Sequence, residues 1–196
     1  MMKSFLLFIL FFQATSICFS QSLMEVAILD KSKIIYKKPF KFKLKNSKWD
    51  LKYKLESLRE QKRESKNSEI LTDSLILIEL YQNAKSQNLE NWSNEEIDNV
   101  FLIDKIEYLS VKKIKEVLNI VEKSDIKKLR KQVREYNYDK RKWRSFPLSM
   151  SRPVYTNDKK YALIAFNYGN NGGKIIVYHE DKKVWINVGV LEGWAY

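Results

Sequence analysis

The sequence predicts an α+β fold in which a helical N-terminal two-thirds packs on a C-terminal three- to four-stranded antiparallel sheet. Three observations predict it. No glycine occurs before Gly169, and all five glycines lie in the final stretch from Gly169 to Tyr196. Between residues 48 and 136, apolar residues recur at three- and four-residue spacing behind Ser and Asp, residues that cap helices by accepting an orphan N–H. From Val154 onward, short apolar β-favouring runs alternate with polar turns, the pattern of a meander. The chain divides into a leader over 1–20, a Lys-rich segment with a strand over 21–45, a helical region over 46–146 and a β-meander over 147–196.

The leader has the three parts of a secretory signal peptide. Met1 to Lys3 is a short positive start, Phe5 to Phe12 is unbroken apolar chain, and small residues follow. Cleavage after Ser20, or alternatively after Ser16, places small side chains at both recognition positions. A membrane-spanning helix needs about 20 apolar residues, and Gln13, Thr15 and Ser16 interrupt the run earlier; an uncleaved anchor is the rival reading. The expectation is an exported protein, periplasmic or extracellular, with no transmembrane segment after cleavage. The Lys/Asn/Ile-rich composition and short leader look bacterial.

Cys18 is the only cysteine and lies in the leader. The mature chain is therefore expected to have no disulfide, thiol nucleophile or cysteine metal ligand, and to rely on its core. His179 is the only histidine, so a multi-histidine metal centre is excluded. No cofactor is expected.

In the Lys-rich segment, Pro39 to Lys45 alternates strictly. As a strand it sets Phe40, Phe42 and Leu44 on one face and three lysines on the other. Leu51, Leu55 and Leu58 then predict a helix over 48–64; Trp49, Leu51, Tyr53 and Leu55 also alternate, so a hairpin is the rival. Lys66-Asn67-Ser68 reads as a linker. Thr72-Asp73 caps a second helix carrying Leu75, Ile76, Ile78, Leu80 and Tyr81 to about Lys85. Ser93 to Glu96 is a capping box, predicting a short helix with Ile97, Val100 and Phe101. Ser110 opens a helix with Val111, Ile114, Val117, Leu118 and Val121. Ser124 opens the next, with Ile126, Leu129, Val133 and Tyr136 facing the core. The predicted strands are Val154 to Thr156, Tyr161 to Tyr168, Lys174 to His179 and Val184 to Val190, with Trp194 folding back onto the sheet. Helices over one face leave the other face wet, as antiparallel sheets allow.

The stretch Leu148 to Ile164, with its Ser151-Arg152-Pro153-Val154-Tyr155 strand and its Tyr161-Ala162-Leu163-Ile164 run, resembles the C-terminal part of small exported bacterial proteins of unknown function. The glycine-rich loop, Tyr178 and Trp185 complete the likeness, which covers about the last 50 residues, with weaker echoes at Trp92 to Asp98 and Ser110 to Leu118. The resemblance implies export and a fold module but no reaction. Asn170 and Asn171 stand where some members carry paired cysteines.

Several local groupings suggest chemistry. The loop Gly169 to Lys174 fails as a phosphate loop, because Tyr168 stands where the first glycine is needed and Ile175 where Ser or Thr should bind magnesium. It reads as a hairpin loop whose glycines adopt positive φ. His179-Glu180-Asp181 joins an imidazole to two carboxylates, but successive strand residues point to opposite faces. Glu95, Glu96 and Asp98 do not share one helix face.

Charge gives the clearest surface cue. The formal net charge is +12, and seven of the 36 basic residues are arginine. Such an excess attracts anionic surfaces, although a lysine-rich coat is commonly only solvated. Lys127, Lys128, Arg130, Lys131 and Arg134 surround the apolar stripe of one predicted helix, and four of the arginines cluster in this region: Arg130, Arg134, Arg141 and Arg144. With Lys140, Lys142 and Trp143 they form a candidate patch for an anionic partner, Trp143 stacking on a ring or sitting at a lipid interface. The competing reading buries Trp143 where helices meet the sheet.

The expected function is that of a non-catalytic exported binding protein, docking an anionic polymer or envelope surface. The alternatives are a cell-envelope hydrolase using unidentified carboxylates, and an inhibitor or immunity-type protein binder using a Tyr-rich sheet face. Export makes nucleic acid an unexpected physiological partner.

Overall fold

The computed structural model describes residues 22–29, 31–44, 48–64, 73–104, 108–138 and 147–195. The chain is α+β with an antiparallel sheet in its C-terminal part. The leader, Cys18, the 66–68 linker and the Lys140 to Arg144 run lie outside the described residues.

Ser22 opens α1 (Leu23–Ile28) through a reciprocal box. Its Oγ accepts from the Glu25 N–H at 3.2 Å, and its own N–H donates to Glu25 at 2.7 Å. The sequence reading assigns no helix there. After β1 (Ile34–Tyr36), Phe42 is buried and Phe40 and Leu44 half-buried while Lys41 and Lys43 are exposed, so the alternation holds over residues 40–44. No ladder forms, which corrects the predicted strand. The Gln87 side-chain amide substitutes for a neighbouring strand, accepting from the Phe42 N–H at 3.1 Å and donating to the Phe42 carbonyl at 2.7 Å.

The helix predicted over 48–64 forms as α2 (Lys48–Glu64), with Leu55 and Leu58 buried. Asp73 caps α3 (Ser74–Asn83), accepting from the Leu75 N–H at 2.8 Å, and Leu77, Leu80 and Tyr81 are buried.

The helix predicted behind Ser93 is absent. Half of its capping box is made, the Ser93 N–H donating to Glu96 at 2.9 Å, but only a turn follows. Asn99 adopts φ 54°, which no right-handed helix accommodates. Phe101 instead begins β2 (Phe101–Ile103), which pairs in parallel with β1 in the register Ile34 to Phe101. Ser110 caps α4 (Val111–Val117) as predicted. Val121, assigned to its core stripe, is exposed because the helix has ended and Asn119 turns the chain at φ 46°. In α5 (Lys123–Tyr138), Leu129, Val133 and Tyr136 are buried as expected, and Ile126 is half-buried.

The C-terminal sheet has five strands rather than three or four. These are β3 (Ser149–Met150), β4 (Val154–Tyr155), β5 (Tyr161–Asn167), β6 (Gly173–Asp181) and β7 (Val184–Trp194), in the order β3-β5-β6-β7. Both β3 and β4 pair with β5, so they form one edge interrupted at Ser151-Arg152-Pro153. Pro153 has no N–H to donate there. Ser151 keeps the edge closed by accepting from the Ala165 N–H through its hydroxyl at 2.9 Å. Leu148 exchanges backbone hydrogen bonds with β1, joining the parallel pair to the sheet edge.

Both sheet faces are covered, which corrects the expectation of one wet face. Leu163, Ala165, Ile175, Val177 and Val188 pack against α2 and α3 on one side. Ala162, Ile164, Phe166, Ile176 and Tyr178 pack on the other against α1, Trp92, Ile97 and Val100. Helices α4 and α5 cover the β1–β2 pair instead, through Ile114, Leu129, Val133 and Tyr136. The helical region therefore divides between two platforms and does not form one layer on the sheet. Trp194 packs on the α2–α3 side, as expected.

Burial pushes several phenols up: Tyr36, Tyr81 and Tyr155, Tyr168 to about 12, and Tyr178 further, with Tyr168 nearby adding to the shift. A raised phenol stabilises the fold below its unfolded value of 10.0, and that contribution disappears as pH rises toward the folded value. The melting temperature is expected to hold steady to about pH 10 and fall steeply by about pH 12. Ionisation of these five tyrosines should then accompany unfolding. Their ionisation in protein that remains folded would contradict this.

Candidate anion-docking face

The outer surface of α5 carries six basic and two acidic residues. At 100° per residue, Lys123, Lys127, Arg130 and Arg134 fall within a strip of about 60°, adjoining the buried stripe of Leu129 and Val133. The two acids lie off this strip and face other cations. Asp125 pairs with Lys128 at 3.2 Å, and Glu135 approaches Lys131 at 4.0 Å. Among the described residues, none of the four strip cations makes an ion pair, and all are exposed.

Two exposed rings stand at the C-terminal end of this helix. The Asn137 amide clamps the backbone of Leu109, accepting from its N–H at 2.9 Å and donating to its carbonyl at 2.8 Å. The chain neighbours of these two clamped residues are Tyr138, 91% exposed, and Tyr108, 77% exposed. Exposure of that degree in large aromatics leaves their faces available for stacking.

Arg130 and Arg134, predicted from sequence, thus belong to one strip with Lys123 and Lys127. Lys140, Arg141, Lys142, Trp143 and Arg144 lie outside the described residues. The sequence reading missed Lys123 and the exposed tyrosines. Helical projection of α5 would have found Lys123, but only the Asn137–Leu109 clamp brings the Tyr108 segment to the end of α5.

No family model matches this chain, and neither curated proteins nor solved structures give a match.

Arg152 is the most heavily bonded cation in the described chain, and its bonds are structural. Its guanidinium donates to the Glu90 carbonyl at 3.0 Å, to the Asn91 carbonyl at 2.7 Å and through both terminal nitrogens to the Glu96 carboxylate. It also lies over the Trp92 ring at 4.1 Å. The Arg152 hydrogen bonds hold the Glu96 carboxyl below the usual range. These contacts occupy the guanidinium with protein groups.

His179 stacks on Tyr161 across the β5–β6 ladder, with ring centroids 4.3 Å apart. Its neighbours Glu180 and Asp181 continue the strand into the turn, so the trio does not converge on a cleft. The Gly169 to Gly173 loop joins β5 to β6 with Gly169 and Gly172 at positive φ, as a hairpin connection requires. Among the described residues, no group of three or more His, Cys, Asp or Glu side chains is arranged to hold a metal ion. No described helix is long and apolar enough to cross a membrane.

Proposed function

We propose that the protein is an exported, non-catalytic binding protein that docks an anionic polymer or envelope surface through α5. The strip of Lys123, Lys127, Arg130 and Arg134, none of which forms an ion pair among the described residues, carries this reading. A rigid helix holds the four cations in line, so a partner with regularly spaced negative charges meets them without prior reorganisation. Tyr108 and Tyr138 add stacking surface at one end. The Lys140 to Arg144 run follows α5 directly in sequence and extends its basic character. The leader pattern and the resemblance of residues 148–185 to exported proteins support an extracytoplasmic partner, such as an acidic polysaccharide or anionic lipid headgroups, over nucleic acid.

Retention on immobilised heparin tests the reading. The triple variant Lys127→Glu, Arg130→Glu and Arg134→Glu is expected to elute at much lower salt. The salt dependence of binding should weaken by roughly one counterion per lost contact. The control Lys38→Glu, Lys41→Glu and Lys43→Glu reverses three exposed charges on a different segment and should elute close to the unmodified protein. If an equal number of reversals elsewhere weakens retention as much as those on α5, net charge is responsible and the docking face is wrong.

A further inference from the structure

A cleft of about 420 Å³ opens between α2 and the end of β7. Its helical wall presents Asp50, Tyr53, Lys54, Ser57 and Gln61, spaced to lie along one side of α2, and Glu192 faces them from β7. The lining is unusually well anchored. Gln61 closes one end by bonding both backbone groups of Val190, donating to the carbonyl at 2.9 Å and accepting from the N–H at 2.8 Å. Lys54, only 6% exposed, donates to Tyr81 Oη at 2.8 Å and to Glu192 Oε2 at 2.9 Å. Burial opposes its charge, but the bonds to Tyr81 and Glu192 outweigh burial and raise its pKa overall. Tyr53 stands at the rim with 72% of its surface exposed.

The geometry points to this cleft as a binding site for a neutral oligosaccharide. Two carboxylates against one ammonium leave the lining net negative, so a polyanion attracted to α5 is disfavoured here. Ligand sites commonly occupy about 300–1,000 Å³ with apolar walls; this one is of that size but walled largely by polar side chains, which suits a ligand rich in hydroxyls. A sugar hydroxyl both donates and accepts. The site offers it carboxylate and amide oxygens as acceptors, and hydroxyl and ammonium groups as donors. The exposed Tyr53 ring offers a face for the C–H surface of a pyranose. Calcium and magnesium take six or more ligands, mostly oxygen, and the described residues hold no group of three or more His, Cys, Asp or Glu side chains placed for a metal ion. Hydrolysis of a glycoside uses two carboxylates, one as proton donor and the other as nucleophile or base; here Glu192 is engaged by Lys54, so the cleft is assigned to binding.

Calorimetric titration of the full chain with cellohexaose, chitohexaose and xylohexaose tests the site. At least one should bind, and Tyr53→Ala should weaken that binding about tenfold, equivalent to about 1.4 kcal/mol. Because Tyr53 is exposed, this variant should melt with the unmodified protein. Glu192→Gln should also weaken binding, while heparin retention of the Tyr53 variant stays unchanged, so failure here is separable from failure of the α5 face. The assignment is overturned if none of the three oligosaccharides binds, or if the Tyr53 variant binds them as tightly as the unmodified chain. Shortening of the bound oligosaccharide would likewise overturn a purely binding role.

Discussion

Replacing Gly172 with alanine is expected to lower stability by about 4 kcal/mol, the sum of backbone strain and forced displacement. Gly172 closes the loop between β5 and β6 at φ 92° and ψ −155°, a region open almost only to glycine. A methyl group there would lie 1.9 Å from the Trp194 carbonyl oxygen and 2.7 Å from the Ala195 Cα. Both are backbone atoms, so no side-chain rotation relieves the clash, and the end of β7 must move. That end carries Trp194, which packs on the α2–α3 side of the sheet. For a chain of this size, the change corresponds to a melting-temperature loss on the order of 10 °C. Thermal unfolding of Gly172→Ala beside the unmodified protein checks it. A loss of only one or two degrees would show that the turn accommodates a side chain and that the account of this connection is wrong.

Removing the Arg152 guanidinium has the next largest expected effect. Arg152→Met keeps a long apolar stem but deletes four hydrogen bonds and the contact over Trp92. Breaking a fully buried pair costs about 3–5 kcal/mol. The Glu96 side chain is 42% exposed and can recover water, so a loss of about 2–3 kcal/mol is expected after allowing for that screening. Urea unfolding measures it, and an unchanged midpoint at neutral pH would exclude the anchoring role. The pH dependence carries a definite sign. A carboxyl lowered in the folded state stabilises the protein above its unfolded value, near 4.5, and loses that contribution as pH falls through its folded value. The difference between the unmodified protein and Arg152→Met should therefore shrink below about pH 4.5. A gap that widens in acid would contradict the proposed pairing.

Much of the architecture was legible where interactions are local. Asp73 and Ser110 capped the helices they were expected to cap, and α2 spans the residues that its leucine spacing marked. The turn at Asn157 to Lys160 separated β4 from β5, and the turn expected over Glu180 to Lys183 forms more tightly at Lys182-Lys183, with Glu180 and Asp181 still in β6. Two local signals were present but went unread. Ser22 and Glu25 have capping-box spacing. The run from Ala162 to Phe166 lacks polar residues at alternate positions, the mark of a strand buried on both faces.

Other features depended on partners far away in sequence. Ser93 to Glu96 reads as a capping box from its own residues, but Arg152 draws Glu96 into a structural clamp and Phe101 pairs with Ile34. Those longer-range bonds outweigh a weak local preference for helix. The cleft beside α2 was equally hidden. Asp50, Tyr53, Lys54, Ser57 and Gln61 share a helical side, but Glu192 joins them only because β7 ends against α2. Part of the basic patch was visible, since Arg130 and Arg134 lie close in sequence, whereas the freedom of the strip depends on which cations Asp125 and Glu135 take as partners.

By itself, the sequence determined four of the five described helices, the C-terminal meander and the basic character of the region after Lys123. Each arises from residues a few positions apart, where periodicity, capping and turn chemistry act. Tertiary structure decided the parallel β1–β2 pair, the covering of both sheet faces, the division of the helices between two platforms and the meeting of Lys54 with Glu192. Each of these needs residues far apart in the chain to meet. Once the core is packed, burial and saturation of backbone hydrogen bonds select such pairings among many that local preference leaves open.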